Sequence, residues 1–341
     1  METPILNNIK KVNPMIGLNQ LFDHQKLTKE QAYETLTRIG KGDFNNSQIA
    51  AFLTIFLMRN ISADELTGFQ NALLDLCLKV DFSDFNTIDV CGTGGDGKDT
   101  FNISTLAAFV VAGAGYKVAK HGNYGVSSSC GSSNVLEHLG YQFTNDESVL
   151  KRQLDTANFC MMHAPLFHPA MKNVAPIRKE LGIKTFFNML GPLVNPSNPQ
   201  NQLVGVFNLE IARIYNYMLQ KSGKNYSILY SLDGYDEISL TGKFKKYSNT
   251  SEALLSPEQI GFPQHSQEAI FGGNTIKEAA TIFTNVLENK GTQSQQNVVL
   301  ANASHAIHCL EPTKSLQDCI FIAKESLASG KALASLTQVI R

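Results

Sequence analysis

A strand, a glycine-rich loop and the start of a helix follow one another within residues 86–134, and this order constrains the fold most. Residues 88–91 form a short, mainly apolar run typical of a buried strand. Residues 92–97 are small or turn-forming, and residues 103–115 form an apolar segment of helical length. Glycines let backbone N–H groups approach an anion, and a helix dipole adds positive potential at the helix N-terminus. The order predicts an anion-binding site.

A second strand and a second loop follow directly. Residues 116–119 form the strand, Lys120-His121-Gly122-Asn123 comes at its end, and a serine-rich loop at 127–133 leads into a helix. Two loops of this type with one lysine predict a ligand that carries several phosphates. Neither GxxxxGK[ST] nor GxGxxG with an acidic residue about twenty positions later is present, so the first loop is not one of these two standard motifs.

Composition indicates a water-soluble globular protein. The chain has 341 residues, of which 43% are hydrophobic and 17% charged, and its net charge is −1. This charge gives no electrostatic reason to expect nucleic acid or an anionic membrane as a partner. Six scattered cysteines without a CxxC pair are typical of a reduced, intracellular chain. The N-terminus lacks a signal-peptide pattern, and the most apolar run is too short to span a bilayer, so we expect a cytoplasmic protein.

The pattern along the chain predicts two kinds of structure. Residues 15–80 show helical spacing and capping boxes at Thr28–Gln31 and Ser62–Glu65, which indicate a small all-helical domain or a dimerisation face. From residue 86 to about 235, strands predicted at 88–91, 116–119, 159–163, 203–207 and 227–231 alternate with helices predicted at 103–114, 132–139, 146–156, 170–181 and 209–222, and further helices are expected at 274–289 and 315–328. Such alternation predicts an α/β fold with a mainly parallel sheet, whose ligands collect at the carboxyl ends of the strands.

Asp236-Glu237 is the candidate metal site. The pair follows a predicted strand and a glycine turn. Adjacent carboxylates in such a loop suit Mg²⁺, which prefers oxygen ligands and commonly bridges to phosphates. A solvated acidic turn is the alternative, and the two anion loops favour the metal. Ser104, at the predicted helix start, could supply a neutral oxygen to the same ion.

Other candidates carry weaker signals. Lys120 would be a point charge for a phosphate, and His121 and Asn123 would either hydrogen-bond a substrate or stabilise the turn. Arg178 lies on a predicted helix beyond His168 and could bind a carboxylate, or could be an exposed helix arginine. His305-Ala-Ile-His308-Cys309 does not have the spacing of a zinc site with identified partners and indicates a buried helix. No Ser-His-Asp or Cys-His arrangement is identifiable.

Taken together, these motifs give the sequence a strong resemblance to the anthranilate phosphoribosyltransferases, a branch of the glycosyltransferase family related to the thymidine and pyrimidine-nucleoside phosphorylases. The matching segments are, in order, Gly92-Thr-Gly-Gly-Asp96, Thr100-Phe-Asn-Ile-Ser-Thr105, Lys120-His-Gly-Asn123, Ser127-Ser128, Gly131-Ser132, Val135-Leu136-Glu137, His168-Pro-Ala-Met171, Arg178, Gly191-Pro192-Leu193-Val194-Asn195-Pro196 and Asp236-Glu237. The resemblance covers nearly the whole chain.

The resemblance implies a role for each matching position. Phosphoribosyl pyrophosphate would be bound by Gly92, Gly95, Asp96, Thr100, Asn102, Ile103, Ser104, Thr105, Lys120, His121, Gly122, Asn123, Tyr124, Gly125, Val126, Ser127, Ser128 and Ser132. Ser104, Asp236 and Glu237 would bind two Mg²⁺ ions, and Gly92, Asn123, His168 and Arg178 would contact anthranilate. No residue acts as an acid or base in this scheme, and Asn123, His168 and Arg178 position the acceptor.

The resemblance also implies an architecture. A small helical domain, formed by residues 1–80 with part of 170–200, would be hinged to a larger α/β domain of residues 81–341, and two chains would form a homodimer through their helical domains. The chain departs from the usual family pattern at Tyr124, where arginine is common, and at Gly131-Ser-Ser-Asn134, where Gly-Ser-Ala-Asp is common. Two alternatives stay open at this point: a nucleoside phosphorylase of the same superfamily, and a non-catalytic relative that binds nucleic acid.

Overall fold

The computed structural model describes residues 15–125 and 130–340, which divide into two compact units. One unit comprises the residues up to Leu76 together with Ala170–Phe186, and the other comprises Cys77–Pro169 together with the residues from Phe187 onward. The first is helical and the second is an α/β unit, so the predicted fold class is confirmed. None of the helices in the described ranges is long and apolar enough to cross a membrane.

The helices and strands follow one another as the alternating pattern requires. The α-helices are α1 (Met15–Phe22), α2 (Lys29–Lys41), α3 (Asn46–Met58), α4 (Ala63–Leu76), α5 (Ile103–Gly113), α6 (Ser132–His138), α7 (Glu147–Ala157), α8 (Ala164–Phe167), α9 (Ala175–Leu181), α10 (Phe187–Leu190), α11 (Leu209–Leu219), α12 (Ile276–Leu287), α13 (Gln293–Leu310), α14 (Leu316–Ala328) and α15 (Lys331–Val339). The strands are β1 (Thr87–Gly92), β2 (Lys117–Gly122), β3 (Phe159–His163), β4 (Asn201–Gly205), β5 (Asn225–Ser231), β6 (Phe244–Ser248) and β7 (Glu252–Leu255).

The helical unit is built from capped helices around an aromatic cluster. Both predicted capping boxes form: Thr28 and Gln31 exchange hydrogen bonds, and so do Ser62 and Glu65. In its core, the rings of Phe52, Phe56 and Phe69 lie with their centroids 5.2–5.7 Å apart. Phe186, which comes from the second chain segment of this unit, stacks on Phe69 at 4.7 Å. The aromatic core of this unit is therefore completed by a residue far along the chain.

The α/β unit is organised around a seven-stranded sheet with the order β3-β2-β1-β4-β5-β6-β7. The five strands from β3 to β5 are parallel, and β6 and β7 add an antiparallel hairpin at one edge. In the central pair, the last residues of the two strands lie side by side, Gly92 of β1 against Gly205 of β4. The mostly buried helix α5 follows β1 and packs against α13. The carboxyl ends of β1, β2, β4 and β5 thus meet at one edge of the sheet.

The continuous helix predicted over 170–181 is wrong. The chain forms a 3₁₀ turn at Pro169–Asn173 and then the separate helix α9. Pro176 lies in the first turn of α9, where its missing N–H costs no hydrogen bond, whereas a helix running through this position would lose one. The proline therefore favours the start of a new helix over the continuation of an earlier one.

His305 gives a pH-dependent contribution to stability. Its side chain is fully buried in α13, Nδ1 lies 2.8 Å from the carbonyl oxygen of Ala301, and burial, aided by Lys246, lowers the pKa to about 3. Between pH 6.5 and about 3, the unfolded chain binds a proton at His305 that the folded chain excludes. The free energy of unfolding therefore falls as the pH falls through this window. Since glutamine does not titrate, we expect the free energy of unfolding of the wild type, relative to His305→Gln, to fall by about 1.4 kcal/mol per pH unit below 6.5. Urea unfolding at pH 7, 6 and 5 measures this difference, and a level difference would contradict the buried neutral imidazole.

Candidate active site

Two glycines at the ends of β1 and β4 make room for the acidic loop after β5. A Cβ atom built on Gly205 would lie 1.6 Å from the carbonyl oxygen of Asp236, and one built on Gly92 would lie 2.4 Å from Asp236 Oδ2. Both distances are far inside van der Waals contact, so only glycine permits this close approach. The paired strand ends therefore place Asp236 directly on the edge of the sheet.

Further hydrogen bonds hold this loop in place. The Ser231 hydroxyl donates to the carbonyl oxygen of Glu237 at 2.6 Å. Asn302, fully buried in α13, accepts a hydrogen bond from the N–H of Ile238 at 3.1 Å and donates to its carbonyl oxygen at 2.9 Å. Neither Asn302 nor Gly205 is among the site residues predicted from the sequence. An asparagine within the otherwise apolar run 298–303 of a buried helix was the available signal.

Asp236 and Glu237 accept hydrogen bonds from the glycine loop and from the start of α5. Asp236 Oδ2 accepts a hydrogen bond from the N–H of Gly94 at 2.6 Å, and Glu237 Oε1 accepts one from the N–H of Ser104 at 3.2 Å. Glu237 therefore lies at the N-terminal end of α5, where the helix dipole favours negative charge. The structure thus brings together the first loop, the helix start and the acidic pair.

The protein alone disfavours the ionised form of both carboxyl groups. Burial, the Asp96 carboxylate and Glu237 raise the pKa of Asp236 well above its ordinary value. Burial also raises the pKa of Glu237 to about 7, against the opposing effects of Lys120 and of the hydrogen bonds from Ser104. Asp96 Oδ2 is buried without a hydrogen-bond partner among the described residues. An uncompensated acidic cluster with an unpartnered oxygen fits a cation.

The donor set selects the kind of cation that would fit. Among the described residues, no group of three or more His, Cys, Asp and Glu side chains forms a metal cage. The oxygen atoms of Asp236, Glu237, Asp96 and Ser104 instead suit a hard ion that keeps several waters and shares its coordination with phosphate, as Mg²⁺ does. These residues therefore fit the metal predicted from the sequence.

Lys120, predicted as a point charge for a phosphate, is buried. Its side chain is 2% exposed, and Nζ donates to the carbonyl oxygen of Val90 and lies 3.5 Å from Ser104 Oγ. Its charge lowers the pKa of the buried Asp89 and of Glu237, although burial raises both overall. A buried ammonium is stable here because it lies close to these carboxylates and satisfies main-chain and hydroxyl acceptors.

The start of α5 is tied to the second loop. Asn102 makes no side-chain cap to the helix, and its Nδ2 donates to the carbonyl oxygen of Cys130 at 3.0 Å. Ile103 and Thr105 are buried in the first turn, and Thr100 forms an isolated backbone bridge with Phe271. Asn102 therefore joins the two predicted anion loops.

Two histidines lie close together at the end of β2. The ring centroids of His121 and His168 are 5.2 Å apart, and His121 Nδ1 lies 3.0 Å from the carbonyl oxygen of Gly191. Burial lowers the pKa of His121 to about 3 and that of His168 to about 4, and the proximity of His168 adds to the shift of His121. Both imidazoles are therefore neutral at pH 7.

Beyond β2 the chain is held by short-range polar contacts. The carbonyl oxygen of Asn123 accepts from the N–H of Ser133 and from Ser132 Oγ, while Asn134 Oδ1 accepts from the N–H groups of Gly125 and Gly131. A Cβ on Gly122 would lie 2.4 Å from Ser132 Oγ. The second loop is thus closed at its base by Asn134.

Tyr124 and residues 126–128 are further residues of the α/β unit that were predicted to bind the donor. The Tyr124 hydroxyl donates to Glu137 Oε1 at 3.1 Å, and its ring packs edge-on against His163. Val126, Ser127 and Ser128 lie outside the described residues. Arg178 lies on α9 in the helical unit, where burial lowers the pKa of its guanidinium, which nevertheless stays charged.

Comparison with protein families accounts for both units. Residues 84–333 match the glycosyl transferase family, a/b domain, and residues 18–77 match the glycosyl transferase family, helical bundle domain.

Known relatives match along nearly their whole length. The anthranilate phosphoribosyltransferase of Flavobacterium johnsoniae is 60% identical over 322 residues, which cover 94% of this chain and 97% of the relative. That of Cytophaga hutchinsonii is 55% identical over 324 residues, which cover 95% and 99%.

Solved structures share the fold. The anthranilate phosphoribosyltransferase of Thermus thermophilus has a TM-score of 0.89 and 31% identity, with 95% of this chain and 98% of that chain covered. The Saccharomyces cerevisiae enzyme in complex with PRPP and Mg has a TM-score of 0.89 and 28% identity, with 98% of each chain covered. The same yeast enzyme in complex with 4-fluoroanthranilate has a TM-score of 0.86 and 27% identity, with 96% of each covered.

Proposed function

This chain belongs to the anthranilate phosphoribosyltransferase family of glycosyl transferases, and from that membership we propose the reaction and the role of each part of its site. The enzyme transfers the 5-phosphoribosyl group from phosphoribosyl pyrophosphate to the amine of anthranilate, a step of tryptophan biosynthesis. The products are N-(5-phosphoribosyl)anthranilate and pyrophosphate. The observation that carries this proposal is the acidic pair Asp236-Glu237, hydrogen-bonded to both the glycine loop and the start of α5.

The donor occupies the edge of the sheet where the two loops meet. Backbone N–H groups of the loop that begins at Gly92 and includes Gly95 and Asp96 would contact the pyrophosphate, and the second loop would add further contacts to the donor. The other donor contacts come from Thr100, Asn102, Ile103, Ser104, Thr105, Lys120, His121, Gly122, Asn123, Tyr124, Gly125, Val126, Ser127, Ser128 and Ser132. Asn102 supports this arrangement because it links the helix start to the second loop.

Charge is the main obstacle in the reaction. Pyrophosphate leaves as an anion while the ribose becomes oxocarbenium-like, so the site must stabilise both charges at once. Mg²⁺ held by Asp236, Glu237 and Ser104, with two ions per site, would neutralise the leaving group. The N–H groups of the glycine loop add fixed dipoles. The carboxylates of Asp236 and Glu237 would hold the metal ions at the edge of the sheet.

The acceptor needs no activated base. The amine of anthranilate is neutral at pH 7, so its lone pair attacks ribose C1 with inversion, and the proton leaves during or after bond formation. Asn123, His168 and Arg178 position the acceptor together with Gly92, and no side chain acts as an acid or base. The pKa of His168, lowered to about 4, supports this role because a neutral imidazole donates or accepts a hydrogen bond without adding charge.

Arg178→Ala should chiefly weaken acceptor binding. The guanidinium matches the carboxylate of anthranilate, and loss of a charged hydrogen bond costs about 1.5–3 kcal/mol, or about 10-fold to 100-fold in the KM for anthranilate. Steady-state kinetics with each substrate varied in turn measures this effect. An unchanged KM for anthranilate would exclude the role of Arg178. Lys179→Ala is the matched control because Lys179 is the neighbouring exposed cation on α9.

The assembly and cellular setting belong to the same proposal. The helical unit exposes the apolar side chains Phe22, Leu57 and Met58, which supports a homodimer formed through this unit. The buried cysteines Cys91, Cys130, Cys160, Cys309 and Cys319 are free thiols, which supports a reducing, cytoplasmic setting.

One assay separates this function from the alternatives. We expect the enzyme to consume anthranilate fluorescence when phosphoribosyl pyrophosphate and Mg²⁺ are both present, and to stop when the metal is chelated. A nucleoside phosphorylase would instead cleave a nucleoside with free phosphate, and a nucleic-acid-binding relative would show neither reaction. Product formed equally well in the presence of chelator, or none with the metal, would refute the proposal.

A further inference from the structure

Lys98 is a cation at the end of the glycine loop, and the proposed reaction assigns it no role. It lies between Gly97, with a φ of 72°, and Asp99, with a φ of 49°, so the chain is left-handed on both sides of it. Its N–H donates to Asp96 Oδ1 at 3.1 Å. Its Nζ lies 4.8 Å from the ring centroid of Tyr235, the residue directly before Asp236. The loop therefore holds the ammonium beside the candidate metal site.

Acidic groups surround this position without pairing with it. The Asp96 carboxylate accepts a hydrogen bond from the main-chain N–H of Lys98, and Asp233 and Asp236 lie close to Tyr235 along the chain. Among the described residues, no carboxylate forms an ion pair with Lys98. The ammonium rests on the face of an aromatic ring, a weak contact that a polyanionic ligand can replace.

The other face of the loop has few neighbours in the part of the chain that the structure describes. Within residues 15–125 and 130–340, no heavy atom lies within 4 Å of a Cβ atom built on Gly94 or on Gly97. Lys120, the other lysine at this edge, is instead buried and already donates to the carbonyl oxygen of Val90. Lys98 is partly exposed, so of these two lysines it is the one that a ligand can reach.

We propose that Lys98 binds the pyrophosphate group of the donor, and that Tyr235 holds the ammonium at the site before the donor arrives. The inference rests on the proposed function, since it assigns a ligand group to the same site. Lys98 adds a positive charge close to the carboxyl groups of this site, whereas the Lys120 ammonium is buried and already donates to a main-chain carbonyl group. An ammonium is a compact point charge with three donors and suits an anion whose oxygens change position as the bond to ribose breaks.

Lys98→Ala tests the proposal with two independent readouts. We expect the KM for phosphoribosyl pyrophosphate to rise about tenfold or more, with the KM for anthranilate unchanged. We expect the dissociation constant for inorganic pyrophosphate with Mg²⁺, measured by calorimetry, to rise by a similar factor and to depend less on salt. Lys98→Arg should recover most of the binding because it keeps the charge. Lys314→Ala, at an exposed lysine in the turn between α13 and α14, is the matched control and should change neither value.

The two readouts separate the failure of this inference from the failure of the proposed function. Unchanged pyrophosphate binding by Lys98→Ala would overturn the assignment, whatever the activity. If the wild type bound pyrophosphate through Lys98 yet formed no product with anthranilate, the inference would stand and the proposed reaction would fall. If Lys98→Ala does not fold, Lys98→Met, which keeps the apolar stem, replaces it. The same rises in the KM for the donor and in the dissociation constant for pyrophosphate are expected.

Discussion

Asp236→Asn is expected to lower kcat by about 100-fold to 1000-fold, the usual effect of removing one group that stabilises charge developing in a transition state. Asparagine keeps the size of the side chain and can still accept the hydrogen bond from the N–H of Gly94. It cannot neutralise a cation, so the leaving pyrophosphate loses part of its compensation. Glu237→Gln should act in the same direction, because its carboxylate lies at the start of α5 beside Ser104.

Kinetics over a range of Mg²⁺ concentrations would measure this effect. The concentration that gives half-maximal rate should rise together with the loss of kcat, because both variants act through the metal. Asp233→Asn is the matched control: it lies in the same loop, but its carboxylate already accepts a hydrogen bond from the Thr241 hydroxyl, and asparagine can keep that bond. A loss confined to the KM for the donor, at unchanged kcat and metal dependence, would contradict the assignment of Asp236.

Gly205→Ala is expected to destabilise the α/β unit by about 3 kcal/mol or more, because the added methyl group overpacks a main-chain contact. The new Cβ would lie 1.6 Å from the carbonyl oxygen and 2.5 Å from the carbonyl carbon of Asp236. Both are backbone atoms, so no side-chain rotation relieves the clash. The acidic loop must move away from the sheet edge, and activity falls with stability.

Gly92→Ala should separate the two effects. Here the Cβ would meet the Asp236 carboxylate first, at 2.4 Å, and this side chain can rotate at a smaller cost in stability. Rotation breaks the hydrogen bond from Gly94, so kcat should fall more than the free energy of unfolding. Gly191→Ala is the control, since a Cβ there would meet no atom of the described residues within 4 Å. Denaturant unfolding and steady-state kinetics on the three variants give the comparison, and equal stability of the Gly205 and Gly191 variants would refute the close contact.

Local sequence patterns were enough to predict much of this architecture. The five parallel strands appear where short apolar runs alternate with helical segments, and the capping boxes at Thr28 and Ser62 form because both partners lie within one turn. The acidic pair could likewise be assigned to a strand end, because a glycine turn follows β5 in the sequence. Each of these features depends on residues that are close along the chain.

Features that depend on distant partners were not visible in this way. Gly205 is required because Asp236 packs against it, and Asn302 matters because it holds Ile238 across 64 residues. The burial of Lys120 depends on a carbonyl group of the neighbouring strand, which its own surroundings in the sequence do not reveal. The site roles themselves were inferred from a resemblance to a family, since neither hydrophobic periodicity nor motif spacing identifies an acceptor.

The helical unit is built from two chain segments that the ribosome synthesises at different times. Phe186, which stacks on Phe69 in the core of this unit, follows the end of α4 at Leu76 by 186 − 76 = 110 residues. At about 5–20 residues per second, a ribosome needs roughly 6–22 s to add that length. During this interval the nascent α1–α4 bundle lacks one ring of its aromatic core while much of the parallel sheet is already being synthesised. Completion of the first unit therefore follows, rather than precedes, the emergence of β1, β2 and β3.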